Sequence, residues 1–251
     1  MIKIIVTGGS GFIGTNLILE LLKDKKISVV NLDKISACSN FYLNQKEKRN
    51  RRYYFKKLNL CKFNSVKKFL IKNKPDIIFH LAAETHVDNS LSNPIKCFEN
   101  NLMGTVNLLT ACNELLKIKK IKFIHVGTDE IYGDLPLRSL LNKNENSKLI
   151  PNNPYSSSKA AGVLAVETWI RNFKFPAIIC NSVNNFGPFQ FVEKFIPRSI
   201  LNSLKFNKIE VYGKGLNIRS WLYVKDHVYA LIKLSKKGKI GETYSISAKN
   251  N

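Results

Sequence analysis

The sequence has 251 residues, a length that suits one large α/β domain or one domain with a small appendage. Apolar residues make up 44% and aromatic residues 10%, which excludes a wholly disordered chain, and no apolar run approaches the ~20 residues that a membrane span needs. Lys and Arg number 40 against 18 Asp and Glu, a net charge of +22.

Short apolar runs alternate with helix-like stretches along the first two thirds of the chain. Predicted strands lie at Ile2–Val6, Ile27–Leu32, Asp76–Leu81, Lys122–Val126 and Ala177–Asn181. Predicted helices lie at Phe12–Leu22, Ser65–Ile71, Pro94–Leu116 and Ser156–Phe173. This alternation is typical of parallel βαβ units, and we therefore predict an α/β fold with a doubly wound parallel sheet.

The alternation loosens after about residue 181. Asn184–Pro188 has the composition of a turn, as Asn, Gly and Pro do between periodic segments. The predicted elements of this part are helices at Pro197–Leu204 and Asp226–Ser235 and strands at Lys208–Tyr212 and Thr243–Ile246. We predict a first domain over residues 1–181 and a smaller lobe over residues 182–251, interleaved with the first.

A glycine-rich segment, TGGSGFIG at residues 7–14, follows the first strand and opens the first helix. Gly8, Gly11 and Gly14 have the spacing in which one glycine permits a tight turn, one admits a pyrophosphate and one packs helix on strand. The helix N-terminus would then face the pyrophosphate, with Phe12 and Ile13 beside it. The position predicts a Rossmann dinucleotide site; a glycine-rich turn without a ligand is the alternative.

Asp33 ends the second predicted strand, about 20 residues after the glycine motif, where an acid accepts hydrogen bonds from the adenosine ribose. The same carboxylate repels a 2′-phosphate, so the sequence favours NAD over NADP. A solvated acid at a strand end is the alternative interpretation.

Tyr155 and Lys159 form a YxxxK pair at the start of a predicted helix. The spacing places both on one helix face. A lysine beside a tyrosine is expected to lower the phenol pKa, so that the phenolate can act as a base near neutral pH.

Thr128, Asp129 and Glu130 follow the predicted strand Lys122–Val126, and ligands of doubly wound sheets bind at the carboxyl ends of the strands. Neighbouring carboxyl groups push their pKa values apart, which leaves one acid and one base. This pair suits the elimination of water; a solvated acidic turn is the alternative.

With these residues in place, the chain resembles the extended short-chain dehydrogenase/reductases. Within that family the paired carboxyls favour a nucleotide-sugar 4,6-dehydratase over epimerases and decarboxylases. The matching segments run in family order over nearly the whole chain: TGGSGFIG (7–14), HLAAETHVDNS (80–90), TDEIYGD (128–134), NPYSSSKA (153–160), NNFGPFQFVEKFIP (184–197) and YGKGLNIRSWLYVKDH (212–227).

The resemblance implies an NAD-dependent hydro-lyase. Its expected reaction converts dTDP-glucose to dTDP-4-keto-6-deoxyglucose, an early step towards deoxysugars such as rhamnose. It implies that Tyr155 takes the C4 hydroxyl proton, Glu130 the C5 proton, and that Asp129 protonates the leaving C6 hydroxyl. Further cofactor residues implied are Asn59, Leu60 and Ala82. Substrate residues implied are His86, Asp88, Asn185, Glu193, Lys194 and Arg219. A homodimer is expected.

Three residues depart from the family pattern: Gly127 stands in place of a serine, Ser220 in place of an aspartate and Val192 in place of a proline. Family members are also longer, so the resemblance implies that this sequence is truncated at its C-terminal end and that its substrate lobe is incomplete. The alternatives are a UDP-sugar dehydratase, an epimerase, a decarboxylase or a non-catalytic NAD-binding fragment.

Composition adds expectations about location and partners. The five cysteines are scattered without a CxxC pattern, so we expect a reducing cytoplasm and no metal site. The first residues, MIKIIVTGG, lack the pattern of a signal peptide. Because the basic residues are spread along the chain, we predict a solvated basic face or steering of an anionic small molecule. We expect no nucleic-acid or membrane partner.

Overall fold

The computed structural model describes residues 1–133, 143–209, 211, 215 and 219–248. Seven parallel strands form its main sheet in the order β3-β2-β1-β4-β5-β6-β9, and β7 and β8 form a separate parallel pair. The strands are β1 (Ile2–Thr7), β2 (Ile27–Asp33), β3 (Tyr53–Lys57), β4 (Ile77–His80), β5 (Lys122–Thr128), β6 (Ala177–Ser182), β7 (Asn184–Phe186), β8 (Trp221–Tyr223) and β9 (Thr243–Ile246).

The helices lie between these strands in chain order. They are α1 (Phe12–Leu21), α2 (Tyr42–Lys46), α3 (Phe63–Asn73), α4 (Val87–Ser92), α5 (Pro94–Phe98), α6 (Gly104–Leu116), α7 (Pro154–Phe173), α8 (Phe195–Leu204) and α9 (Val224–Lys237). A π-helical turn at Glu99–Met103 joins α5 to α6, and a 3₁₀ turn at Asp129–Tyr132 follows β5.

Both faces of the main sheet are covered, because its central strands are apolar on both sides. On one face Leu70, Leu108 and Val163 bring α3, α6 and α7 onto the sheet. On the other face Leu17 and Leu231 bring α1 and α9 onto it. The predicted doubly wound α/β fold is confirmed.

The strand order reverses between β1 and β4, and a crevice forms at such a point beyond the carboxyl ends of the strands. Gly8 follows β1 and Ala82 follows β4, and these two backbones approach closely: a Cβ atom on Gly8 would lie 2.8 Å from the Ala82 Cα. The crevice therefore opens where the sequence placed its dinucleotide site.

The structure corrects several predicted elements. Strand β3 was not predicted because it lies within the most basic stretch of the chain, where it forms the sheet edge. The predicted turn at Asn184–Pro188 begins with β7, which pairs with β8. The predicted helix Pro94–Leu116 is interrupted by the π-helical turn. The predicted strand Lys208–Tyr212 lies partly outside the described residues, as does the motif segment 212–227.

The last part of the chain returns to the main sheet. Strand β9 pairs with β6 as the seventh strand, and α9 packs against α1, β5 and β6. Only β7, α8 and β8 stand apart from the main sheet among the described elements after β6. The proposed division into 1–181 and 182–251 stays a prediction, with this interleaving now placed on β9 and α9.

Candidate active site

A cavity of about 980 Å³ lies at the carboxyl ends of the strands. Its walls come from the loops after β1, β2, β4 and β5, from the start of α7, and from the segment between β6 and β8. It gathers most of the predicted site residues: Gly8, Gly11, Phe12, Ile13, Asp33, Asn59, Leu60, Ala82, His86, Asp88, Thr128, Glu130, Tyr155, Lys159, Asn185, Glu193, Lys194 and Arg219. Gly14 and Asp129 are not among the described residues that line it.

The glycine turn has the geometry that a pyrophosphate requires. Gly8 adopts a φ of +70°, and a Cβ on Gly14 would lie only 2.3 Å from the Gly8 carbonyl oxygen. Gly14 therefore acts behind the cavity, where it lets α1 pack against the turn. The N-cap of α1 is Gly11, which has no side chain to cap the helix. The first N–H groups and the positive end of the helix dipole therefore face the cavity. These features fit a dinucleotide.

Asp33 links the glycine turn to the end of β2. The Ser10 N–H donates to Asp33 Oδ2 at 3.0 Å, and the Ile35 N–H donates to Asp33 Oδ1 at 2.7 Å. Burial raises the pKa of Asp33, and these two hydrogen bonds oppose the rise. The carboxylate therefore fixes the turn and also reaches the cavity wall, where the adenosine ribose is expected.

Asn59 and Leu60 follow β3 and form the far end of the same wall. Asn59 Oδ1 accepts a hydrogen bond from the Cys61 N–H at 3.0 Å, and Asn107 on α6 donates to the Leu60 carbonyl at 3.0 Å. The amide oxygen of Asn59 therefore holds the loop in place.

Helix α7 begins at a position fixed by its own cap, and this sets the YxxxK pair. Asn153 and Ser156 form a capping box with Pro154 at the first turn. Tyr155 is 8% exposed and Lys159 is 7% exposed. The Tyr155 N–H donates to Ser90 Oγ at 3.2 Å, and Lys159 Nζ donates to the Val126 carbonyl at 2.7 Å. These contacts join α7 to α4 and to β5.

The pKa values of this pair differ from the sequence-based expectation. Burial raises the pKa of Tyr155 above its usual value, the nearby charge of Glu130 adds to the rise, and a hydrogen bond with Thr128 opposes it. Burial lowers the pKa of Lys159 to about 8. The expectation that Lys159 holds the Tyr155 pKa down is wrong for the protein alone, because desolvation of the phenolate dominates.

The acidic segment after β5 forms a tight turn beside Tyr155. Thr128 Oγ1 accepts from the Glu130 N–H at 3.3 Å and donates to Asp129 Oδ1 at 3.5 Å. Burial raises the pKa of Asp129, and the charge of Arg219 opposes the rise. A carboxyl group with a raised pKa suits the role of a proton donor. Thr128 and Glu130 line the cavity, whereas Asp129 is not among the described residues that line it.

The segment after β7 crosses the cavity and contacts the opposite wall. Glu193 Oε1 lies 3.1 Å from His86 Nε2 and 3.9 Å from Cys38 Sγ. Lys194 Nζ donates to the Thr85 carbonyl at 3.0 Å. His86 caps α4 by accepting from the Asn89 N–H, so it begins a helix after the loop that follows β4. Three predicted substrate residues thus meet across the cavity.

Other predicted substrate residues lie at its margins. Asp88 is exposed in the first turn of α4, and Arg219 is exposed just before β8. Asn185 lies in β7, where its side-chain amide donates to Ser182 Oγ and to the Val183 carbonyl, each at 2.8 Å.

His227 is a cavity residue that the sequence analysis missed. It is fully buried on α9, and its Nδ1 lies 3.0 Å from Asn185 Oδ1. Burial lowers its pKa to about 4, so the ring is neutral near pH 7 and orients Asn185. Its place at the end of the YVKDH motif was the available signal.

Metal-binding groups, membrane-spanning helices and cysteines were searched for in the described residues. The described residues contain no group of three or more His, Cys, Asp or Glu side chains that could hold a metal ion. Within the same residues, no helix is long and apolar enough to cross a membrane. All five cysteines are free thiols.

A doubly wound sheet with a glycine turn after β1 and a YxxxK pair on α7 defines an extended short-chain dehydrogenase/reductase. The family described as GDP-mannose 4,6 dehydratase matches residues 5–251. A dTDP-glucose 4,6-dehydratase from Shigella flexneri is 40% identical over 261 residues, covering 99% of this chain and 72% of the relative. The chain therefore belongs to this family, and a second relative, dTDP-glucose 4,6-dehydratase from Haemophilus influenzae, is 41% identical over 252 residues, covering 98% of this chain and 74% of the relative.

Solved structures agree with this assignment. The crystal structure of dTDP-glucose 4,6-dehydratase from Bacillus anthracis in complex with NAD has a TM-score of 0.89 and 33% identity, covering 100% of this chain and 76% of that one. UDP-glucuronic acid 4-epimerase from Bacillus cereus, in complex with UDP-glucuronic acid and NAD, has a TM-score of 0.89 and 30% identity, covering 99% and 78%. The fold is thus shared by two different activities.

Proposed function

We propose that this chain is an NAD-dependent dTDP-glucose 4,6-dehydratase that forms dTDP-4-keto-6-deoxyglucose. The observation that carries the proposal is the Thr128-Asp129-Glu130 turn beside Tyr155 and Lys159 at the mouth of a dinucleotide cavity. The relatives and the NAD-containing neighbour support the substrate and cofactor. NAD, when bound, supplies the acceptor for the C4 hydride and the donor of the same hydride to C6.

Tyr155 accepts the proton of the C4 hydroxyl as C4 is oxidised to a ketone. Thr128 is hydrogen-bonded to Tyr155 and sits where it can orient the C4 oxygen. Lys159 holds a positive charge at the floor of the site through its bond to Val126. Because the protein alone raises the pKa of Tyr155, this proton transfer depends on positive charge that arrives with the cofactor.

Glu130 and Asp129 then divide the elimination between them. The C4 ketone acidifies C5, Glu130 removes the C5 proton, and Asp129 protonates the departing C6 hydroxyl. Water leaves, hydride adds to C6 and Glu130 returns the proton to C5, which completes the 4-keto-6-deoxy sugar, so the reaction has no net redox change. The raised pKa of Asp129, which burial causes, supports its role as the acid.

The fold alone does not separate this proposal from epimerase activity, since an epimerase has a similar structure. The carboxyl pair favours the dehydratase, because epimerisation at C4 has no step that expels water. A non-catalytic NAD-binding role is disfavoured by Tyr155 and by the Asp129-Glu130 carboxyl pair, because dinucleotide binding alone requires no acid and base at this place.

A product assay tests the proposal. The purified chain with NAD is expected to convert dTDP-glucose to the 4-keto-6-deoxy product, with UDP-glucose in a parallel reaction to test the base. Glu130→Gln should lower the dehydration rate by roughly 10²–10⁴. Glu167→Gln, on the exposed side of α7, is the matched control and should leave the rate unchanged. A C4-epimerised product, or full dehydration by Glu130→Gln, would contradict the proposal.

We also infer a homodimer, for which apolar residues on α4, α5, the π-helical turn and α7 provide support. Leu91, Ile95, Met103 and Leu164 are exposed there. These elements pack against one another, so a second copy has a helical surface to cover. Ile95→Glu with Leu164→Glu should shift sedimentation to the monomer; an unchanged mass would refute the proposed surface.

Cytoplasmic location stays a prediction, supported by the five free thiols.

A further inference from the structure

A cation stands directly beside the acid that is expected to hold the ribose. Lys34 follows Asp33 and lines the cavity, and its charge opposes the rise in the Asp33 pKa that burial causes. A positive side chain near the ribose is the feature by which NADP-binding sites accommodate a 2′-phosphate. A site that prefers NAD must therefore keep this lysine from acting as a phosphate ligand.

Glu84, in the loop after β4, is placed to do this. Lys34 Nζ lies 4.0 Å from Glu84 Oε2, and the two side chains are 32% and 24% exposed. The ion pair spans the crevice between the loop after β2 and the loop after β4. It draws the ammonium group towards β4 and cancels its charge at that point.

The position of Glu84 is fixed by a second, buried contact. The Glu84 N–H donates to Asn101 Oδ1 at 2.6 Å, and Asn101 Nδ2 donates back to the Glu84 carbonyl at 3.0 Å. Asn101 is buried in the π-helical turn and also donates to Ser158 Oγ on α7 at 2.9 Å. The two hydrogen bonds with Asn101 use only the backbone N–H and carbonyl of Glu84. The Glu84 carboxylate is therefore available for the ion pair with Lys34.

We propose that Glu84 is a specificity-determining residue for the cofactor, which excludes NADP by holding Lys34 in an ion pair away from the ribose. This inference rests on the proposed NAD-dependent function and adds a second determinant to Asp33. Asp33 repels the 2′-phosphate directly, whereas Glu84 removes the cation that would attract it.

The test is a pair of titration calorimetry measurements, of NAD and of NADP, on the full 251-residue chain. Glu84→Gln keeps the backbone clamp and removes the charge. A partly exposed ion pair has a modest energy, so the ratio Kd(NADP)/Kd(NAD) should fall about 1.5-fold to fivefold. Lys34→Met in the Glu84→Gln background should return the ratio towards the wild-type value, because the freed cation is then absent.

Glu167→Gln serves as the matched control, since it removes an equal charge from an exposed pair with Arg171 on α7. Its ratio should equal that of the wild type. An unchanged ratio in Glu84→Gln, or an equal shift in Glu167→Gln, overturns the inference while leaving the proposed function intact. Failure of the wild type to bind NAD would instead count against the proposed function itself.

Discussion

The two walls of the cavity are built differently. On the catalytic wall Thr128, Tyr155 and Lys159 are buried, and they belong to β5 and α7, which pack into the main sheet. The opposite wall consists of β7, α8, β8 and the described residues between them, and α8 has no buried residue. Its last residue, Leu204, is 72% exposed.

The difference separates the chemistry from the grip on substrate. The groups that we propose to exchange protons are held by elements whose burial stabilises the whole fold, so their geometry exists before any ligand arrives. The opposite wall contacts the rest of the protein through polar pairs, such as Glu193 with His86 and the Asn16 amide with the Pro188 carbonyl, and through a ring contact between Phe189 and Tyr42. Because α8 buries none of its residues, we expect this wall to adapt to the nucleotide-sugar more readily than the other.

The largest effect is expected on the catalytic wall, from Tyr155→Phe. The change removes one hydroxyl and keeps the buried ring, so the fold should be unaffected. Loss of a general base lowers the rate by roughly 10²–10⁴. Stopped-flow absorbance of the reduced nicotinamide should show no C4 oxidation in a single turnover.

Calorimetry with NAD provides the control for this variant. Its NAD affinity should remain within about twofold of the wild-type affinity, since the glycine turn and Asp33 are unchanged. Normal C4 oxidation by Tyr155→Phe would remove Tyr155 from the mechanism.

The opposite wall should respond through binding, as Arg219→Ala tests. Arg219 is exposed beside the cavity and its charge reaches Asp129, and a guanidinium group suits a diphosphate. A charge-assisted hydrogen bond is worth about 1.5–3 kcal/mol, so the KM for dTDP-glucose should rise about tenfold to a hundredfold. NAD affinity should not change; a parallel loss of NAD affinity would indicate a structural role for Arg219.

The catalytic wall was also the more predictable one. Glycine spacing, the YxxxK pair and the paired carboxyls are local signals, and each lies at a strand or helix end that periodicity could find. Strand β7 could not be found in this way, because its three residues pair with β8, more than thirty residues further along the chain. His227 was missed for a similar reason, since only the packing of α9 brings it to Asn185.

Burial was the other property that sequence spacing could not supply. The YxxxK spacing correctly places both residues on α7, yet the pKa of Tyr155 depends on how much water its hydroxyl loses. That loss follows from contacts with the loops after β4 and β5, which are distant in sequence. Proximity in sequence therefore predicted the partners but not their energetics.

Burying the Lys159 ammonium group should lower the free energy of unfolding, and Lys159→Met tests this. Burial lowers the Lys159 pKa to about 8, so the folded state binds this proton less tightly than the unfolded chain does. At pH 7 the cost is about 3 kcal/mol. Lys159→Met removes it but leaves the Val126 carbonyl without its donor, a loss of about 1–3 kcal/mol. The free energy of unfolding should therefore rise by about 0–2 kcal/mol while turnover is lost.

The sign can be checked by repeating the denaturant titrations at higher pH. A lowered folded-state pKa destabilises the protein fully below about pH 8, and the penalty fades as the unfolded-state lysine also loses its proton. The stability advantage of Lys159→Met should therefore shrink between pH 8 and about pH 10.5. An advantage that grows over this interval would mean that the buried ammonium group stabilises the fold.

The smallest effect on stability should come from a substitution on α8. We compare a leucine of this helix with a leucine of the core beneath the main sheet. Leu108 on α6 is 1% exposed and packs in the core, whereas Leu204 on α8 is 72% exposed. Leu108→Ala should lower the free energy of unfolding by about 2–5 kcal/mol, because it leaves a cavity. Leu204→Ala should change it by less than about 0.5 kcal/mol, as exposed substitutions do. Denaturant titration of both variants measures the difference. A loss of more than about 1 kcal/mol in Leu204→Ala would show that α8 is covered in solution, by a second copy or by another segment. The two walls would then be more alike than their burial indicates.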